Sequence, residues 1–208
     1  MKIMDKLKNK VKLNQHLFVF YIILLLIGII AGSVFVTILN NDDLMLVGKH
    51  LNSFLNNIDD NNINYIGALK SNLLTNIFII LIIWLLGISI IGLPIIIFIY
   101  FTKIFVTGFT IASIISTFKF KGLIFSFIYV FPSQVLIILI LIFLMIFSSS
   151  FSFKLIYSIF KKKTFDFRYI MNKYFKVLLI SLIVITITSL YDTYLLPIIL
   201  KSLISFIR

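Results

Sequence analysis

The sequence predicts an all-α, polytopic transmembrane helix bundle that forms one domain over residues 1–208. Three observations support this prediction. Of the 208 residues, 61% are hydrophobic and only 12% are charged, whereas an ordinary soluble domain has about 25% charged residues. The charges are concentrated in short segments between apolar runs. Several of these runs reach the roughly 20 residues that a helix needs to cross a bilayer.

Five helices are expected, provided that the long apolar stretch 71–118 crosses the membrane twice. Lys103 is the single charged residue in that stretch, and Gly92-Leu93-Pro94 interrupts it. Proline removes a backbone donor and disfavours helix at the residue before it. Pro132 lies inside a later apolar run, where it removes one helical hydrogen-bond donor. The predicted helices are residues 17–39, 73–91, 95–117, 123–147 and 177–200.

The segments between the helices predict the orientation. Residues 1–16 and 148–176 are basic, whereas the loop 40–72 contains two Asp-Asp pairs, many Asn and a weak amphipathic pattern. Lysine-rich segments favour the cytoplasmic side, so the N-terminus should be cytoplasmic and 40–72 should be an outer loop of the cell membrane. We expect Lys161, Lys162 and Lys163 to contact anionic lipid, although docking of a cytoplasmic protein is an alternative. The same distribution argues against nucleic-acid binding.

Small residues indicate close packing between helices. Gly28 and Gly32 form a G-x-x-x-G pair, and Gly108, Ala112 and Ser116 repeat the same spacing. Such residues let helix backbones approach each other in lipid. Packing within one bundle is favoured over a defined dimer, and a homo-oligomer remains an open alternative.

Three polar side chains interrupt the apolar runs. Lys103 either lies in a polar pocket or solute path, or extends its ammonium to the interface. Asp192 stands between Tyr191 and Tyr194, which favours an interfacial girdle over a buried counter-ion. Gln134 could satisfy backbone groups freed by Pro132 or bond to another helix, and both are favoured over substrate contact.

Signals of catalysis are weak, so neither an enzyme nor a cofactor is expected. The chain has no Cys and no Glu, and its two histidines fall in segments predicted to lie on opposite faces. The pairs Asp42-Asp43 and Asp59-Asp60 could bind a divalent cation. Solvated carboxylates in an Asn-rich loop are the favoured interpretation, so no metal site is predicted.

One run of residues resembles the stage II sporulation protein M family. It extends from Trp84 through Gly87 and Gly92 to Pro94, and is followed by Lys103, Gly108-Phe109 and later Phe131-Pro132-Ser133-Gln134. The resemblance covers about residues 15–200. Many wider family members have Pro-His-Gly after the equivalent proline and a later Glu, which this chain lacks. It therefore resembles the sporulation branch more closely.

The resemblance implies a non-catalytic protein of endospore engulfment in the septal, mother-cell membrane. It would anchor a complex with the stage II sporulation proteins D and P, which degrade peptidoglycan. We therefore expect a scaffold that recruits wall-degrading partners. The alternative is a small transporter or permease subunit that uses the broken helices around Gly92–Pro94 and Lys103.

Overall fold

The computed structural model describes residues 2–161 and 167–207, and confirms the all-α prediction for them. Four helical stretches are long and apolar enough to cross a membrane, namely Asn14–Ile38, Tyr65–Gly87, Gly92–Ser158 and Phe167–Ile204. The elements are α1 (Lys2–Ile38), α2 (Asn41–Asp59), α3 (Tyr65–Gly87), α4 (Gly92–Lys161), α5 (Phe167–Leu190), a π-helical turn (Tyr191–Leu195) and α6 (Leu196–Ile207).

The long helix α4 is divided at Lys119, whose φ of 54° and ψ of −130° are not helical. Its first limb (92–118) and second limb (120–161) fold back against each other. A Cβ added to Gly122 would lie 2.6 Å from the carbonyl oxygen of Ile114, and the rings of Phe118 and Phe125 lie 5.9 Å apart. The described residues therefore contain five long apolar segments, because this one helix supplies two.

Several boundaries differ from the sequence prediction. The predicted outer loop 40–72 includes α2 and the first turns of α3. Asn64 caps α3 by accepting a hydrogen bond of 2.9 Å from the Gly67 amide. Placing the end of the fourth helix at residue 147 was wrong, because α4 continues to Lys161. Lys162 and Lys163 lie outside the described residues.

Two hydrophobic clusters hold the bundle together. The main core joins α1, α3, α4 and α5 through fully buried side chains such as Tyr21, Ile83 and Leu144. A second cluster packs Leu55 and Ile58 of α2 against residues of α6 and both limbs of α4; we call the α2–α6 end the cap. Side chains such as Phe98, which is 69% exposed, cover the outside of the bundle, as expected of a surface in lipid.

The predicted glycine contact joins α1 to the first limb of α4. A Cβ added to Gly32 would lie 2.1 Å from the carbonyl oxygen of Phe105, and one added to Gly108 would lie 2.4 Å from that of Ile29. Gly28 similarly approaches the side chain of Ile104. The G-x-x-x-G surface is thus occupied within the chain, in agreement with the favoured interpretation of these glycines.

Candidate functional site

Four polar side chains form a continuous hydrogen-bonded series inside the bundle, which we call the polar chain. The Lys103 ammonium donates to Oδ1 of Asn76 at 3.4 Å. The Asn76 amide donates to Oδ1 of Asn72 at 2.9 Å, and the Asn72 amide donates to Oδ2 of Asp192 at 3.4 Å. A cation and a carboxylate are therefore connected through two amides.

Three elements position the polar chain. Asn72 and Asn76 are four residues apart on α3, so they share one face of that helix. Lys103 is half-buried on the first limb of α4. It lies about 16 Å along that limb from Gly92, at 1.5 Å per residue. Because the hydrocarbon core is about 30 Å thick, this places the lysine near mid-depth.

Asp192 lies in the π-helical turn Tyr191–Leu195. The sequence provides a cause for this turn, because Pro197 has no N–H to donate to the carbonyl of Thr193 four residues earlier. Instead, the Leu196 amide donates to the carbonyl oxygen of Tyr191, five residues back. Single π turns inside helices are common at functional sites.

The surroundings of Asp192 contain further polar atoms. Ser133 and Tyr129, both on the second limb of α4, lie close enough to interact with its carboxylate. Within the described part of the chain, Oδ1 of Asp192 and the hydroxyls of Ser189 and Thr193 are buried without a hydrogen-bond partner. Unpartnered buried polar atoms are costly, and ordered water is the usual partner of such groups.

A second polar group, which we call the serine–tyrosine cluster, lies at the opposite end of the bundle from the cap. The Tyr174 hydroxyl is 2.6 Å from that of Ser148 and donates to the Trp84 carbonyl at 2.9 Å. The Ser152 hydroxyl donates to the Gly87 carbonyl at 2.7 Å. These bonds tie together α3, α4 and α5. Further members are Tyr21, Tyr100, Ser149 and Ser150.

The serine–tyrosine cluster accounts for the composition of the run 84–94. The Trp84 ring stacks on Tyr174 with centroids 5.5 Å apart. A Cβ added to Gly87 would lie 2.3 Å from the Tyr174 hydroxyl oxygen, and one added to Gly92 would lie 1.9 Å from the Leu86 carbonyl oxygen. Two glycines are thus needed for close approach. Pro94 occupies the first turn of α4, where its missing N–H costs nothing.

The structure distributes the predicted site residues over three places. Lys103 belongs to the polar chain, in which its ammonium donates to Asn76. Asp192 is half-buried and bonded to Asn72, and its assignment to an interfacial girdle stays a prediction. Pro132 and Gln134 are half-buried, whereas Ser133 between them is buried and adjacent to Asp192.

Sequence reasoning missed the two asparagines and the serine run. Asn72 was assigned to the outer loop because an Asn-rich segment precedes it, although its spacing of four from Asn76 in an apolar run was an available signal. The serines 148–150 were assigned to a cytoplasmic segment. Their hydroxyls are instead partnered inside the bundle, as buried hydroxyls must be.

The histidines and acidic pairs do not assemble into a site. His16 and His50 are exposed on α1 and α2, respectively. The described residues contain no group of three His, Cys, Asp or Glu side chains that could hold a metal ion.

The family model of stage II sporulation protein M matches residues 21–197. This range includes the polar chain, the serine–tyrosine cluster and the glycine contact between α1 and α4. Neither the comparison with curated proteins nor that with solved structures gives a match. Because the matched range is far more than half of the chain, the protein belongs to the stage II sporulation protein M family.

Proposed function

We propose that this sporulation membrane protein is a non-catalytic scaffold, which holds peptidoglycan-degrading partners at the septal membrane during engulfment. Family membership supports a role in sporulation. The resemblance implies the stage II sporulation proteins D and P as the partners. The observation that carries the proposal is the arrangement of α2 on the cap.

Helix α2 is anchored on one side and exposed on the other. Leu55 and Ile58, which are 1% and 2% exposed, pack into the cluster that contains residues of α6. The Asn61 side chain also accepts a hydrogen bond of 2.7 Å from Lys201. The remaining face of α2 presents exposed residues that include Asp42, Asp43, Lys49 and His50. Met45 and Leu46, which are 58% and 53% exposed, lie on the same face. A fixed helix that exposes both charged and apolar side chains is a suitable platform for another protein.

The proposed orientation brings this platform to the side where peptidoglycan lies. Lysine-rich residues 1–16 precede the membrane span of α1, and the positive-inside tendency favours the cytoplasm for them. Since α2 follows the far end of α1, the cap would then face outward. Five crossings also return the basic segment between α4 and α5 to the cytoplasmic side.

The scaffold is tested in a sporulating host that lacks the gene. The wild-type chain should restore engulfment and the septal localisation of a fluorescently tagged peptidoglycan hydrolase. The surface variant Asp42→Asn/Asp43→Asn should insert at wild-type levels but lose the localisation. The control Asn41→Lys/Asn52→Lys makes the same change in net charge at other exposed positions of α2. It should keep the localisation if the effect is specific to Asp42 and Asp43. The proposal fails if the deletion leaves engulfment and hydrolase localisation intact.

A second candidate function is that of a small transporter or permease subunit. The specific observation in its favour is the polar chain, which extends from mid-depth at Lys103 to the π turn at Asp192. Transporters commonly bind solutes at interrupted helices near the bilayer midplane. In proteoliposomes, solute flux that disappears in Lys103→Ala but persists in Lys70→Ala, an exposed control on α3, would favour transport over the scaffold.

A further inference from the structure

A cavity of about 70 Å³ lies between α1, the second limb of α4 and α5, at the end of the bundle opposite the cap. Its polar lining includes Asn14, Ser150, Lys154, Tyr169 and Lys173, together with Tyr174 of the serine–tyrosine cluster. Phe147 and Phe151 supply part of its apolar wall. The cavity therefore combines cationic and hydroxyl groups with an apolar surface, and it is separate from the polar chain.

Two helices present the same combination of groups to this cavity. Ser150 and Lys154 are four residues apart on α4, and Tyr169 and Lys173 are four apart on α5, so each pair shares one helix face. Among the residues that the structure describes, the two charged side chains that line the cavity are both lysines. The resulting field favours an anion, and ammonium and hydroxyl groups are suitable donors to phosphate oxygens.

Two contacts orient these donors. Ser150 donates to Oδ1 of Asn14 at 3.0 Å, which leaves the amide NH2 of Asn14 as the part suited to an anion. The Lys173 ammonium lies 4.3 Å from the centroid of the Tyr169 ring, a cation–π contact that holds the ammonium beside the cavity. The site thus has an organised set of donors from three helices.

The apolar wall continues along α4 away from the lysines. Phe143 and Phe147 follow one face of the second limb, with ring centroids 4.9 Å apart, and Phe143 is 41% exposed. This surface runs toward the bilayer interior, so a molecule with its phosphate at the lysines could lay a hydrocarbon chain along the phenylalanines. A free phosphate ion would leave that surface unused.

We propose that this cavity binds the phosphate-bearing headgroup of an anionic membrane lipid, with an acyl chain against Phe147 and Phe143. Basic pockets between transmembrane helices bind such headgroups. A lipid bound there would connect α1, α4 and α5 at their polar ends. The proposal depends on the membrane bundle and does not depend on the scaffold function.

The test uses the full chain in nanodiscs of phosphatidylcholine, with and without phosphatidylglycerol. Native mass spectrometry counts the phosphatidylglycerol molecules that the protein retains, and thermal unfolding measures how much they stabilise it. Lys154→Gln/Lys173→Gln should retain phosphatidylglycerol about 25-fold more weakly, because each lysine near the membrane surface contributes roughly fivefold. Lys70→Gln/Lys176→Gln removes the same charge from exposed positions outside the cavity and should behave like wild type.

Each remaining outcome decides the proposal. If both double variants lose phosphatidylglycerol equally, the lipid is attracted to surface charge in general and the proposed site is wrong. If inorganic phosphate stabilises the protein fully in nanodiscs of phosphatidylcholine alone, the cavity binds a free phosphate ion and the lipid proposal is wrong. If the glutamine pair unfolds, Lys154→Arg/Lys173→Arg keeps both charges. The site is supported if this arginine variant retains phosphatidylglycerol and the single variant Lys173→Gln loses it. The site is rejected if the arginine variant loses phosphatidylglycerol and Lys173→Gln retains it.

Discussion

Lys103 is held in the bundle by an amide oxygen at 3.4 Å, and two asparagines separate it from Asp192. A lone cation at mid-depth costs about 2.5–3.5 kcal/mol on insertion scales. Asn76 offsets part of this cost directly, and the Asp192 charge attracts the ammonium from a longer distance. The two ionisable residues should therefore stabilise the bundle jointly.

We expect Lys103→Met to reduce the free energy of unfolding by about 1–2 kcal/mol, because it leaves the Asp192 charge without its cation. The double variant Lys103→Met/Asp192→Asn should lose less than the sum of the single variants, by about 1 kcal/mol. Unfolding by SDS in mixed micelles measures all three. Strictly additive losses would show that the residues are not coupled, and Lys70→Met is the exposed control.

Gly32 provides a second prediction for a single residue. Gly32→Ala should destabilise the fold by about 1–3 kcal/mol through overpacking, because the added Cβ would lie 2.1 Å from a backbone oxygen of α4. The matched control is Gly48→Ala in α2, where the nearest atom would lie 3.7 Å away. That control should be neutral or slightly stabilising, since alanine favours helix over glycine. Equal losses in the thermal unfolding of both variants would contradict the close contact.

At the scale of elements, the division of α4 depends on one residue with unusual backbone angles. Lys119 has a φ of 54° and a ψ of −130°, a conformation that glycine adopts readily and other residues adopt at a cost. The sequence predicted a turn with lysines between two helices. It did not identify the residue that reverses the chain, because lysine has no preference for positive φ.

Lys119→Gly should therefore stabilise the protein by about 1 kcal/mol, since it removes the backbone strain at the reversal. Ser116→Gly, at an exposed helical position three residues earlier, should instead destabilise it by about 0.5–1 kcal/mol. Thermal unfolding in detergent compares the two. A loss of stability in Lys119→Gly would show that the left-handed conformation is absent at this position.

Residues 84–94, which join α3 to α4, could be explained only in part from the sequence. The break at Gly92-Leu93-Pro94 followed from the backbone chemistry of proline alone. The role of Gly87 did not, because it is set by the Tyr174 hydroxyl, which belongs to a helix much later in the chain. The turn between α3 and α4 can therefore be located from its own residues, whereas Gly87 is explained only by a side chain that is distant in sequence.

At the scale of the whole molecule, the proposed orientation, with five crossings and a cytoplasmic N-terminus, would place the two ends of each limb of α4 on opposite sides of the membrane. The chain has no native cysteine, so single cysteines can report the side directly. Ile91, Phe120 and Phe160 are 80%, 75% and 82% exposed. A membrane-impermeant maleimide added outside intact cells should label Phe120→Cys but not Ile91→Cys or Phe160→Cys. Labelling of Ile91→Cys from the same side as Phe120→Cys would contradict the double crossing.

The sequence by itself determined the membrane class, the all-α fold and the approximate positions of the apolar segments. These properties depend on hydrophobicity and chain length summed over neighbouring residues, and on proline at particular positions. The tertiary structure decided which polar groups meet. Asn72 and Asp192 are 120 residues apart in sequence, and each looks like a surface residue when only its neighbours are considered. Inside a bundle in lipid, water cannot satisfy such groups, so helix packing determines their partners.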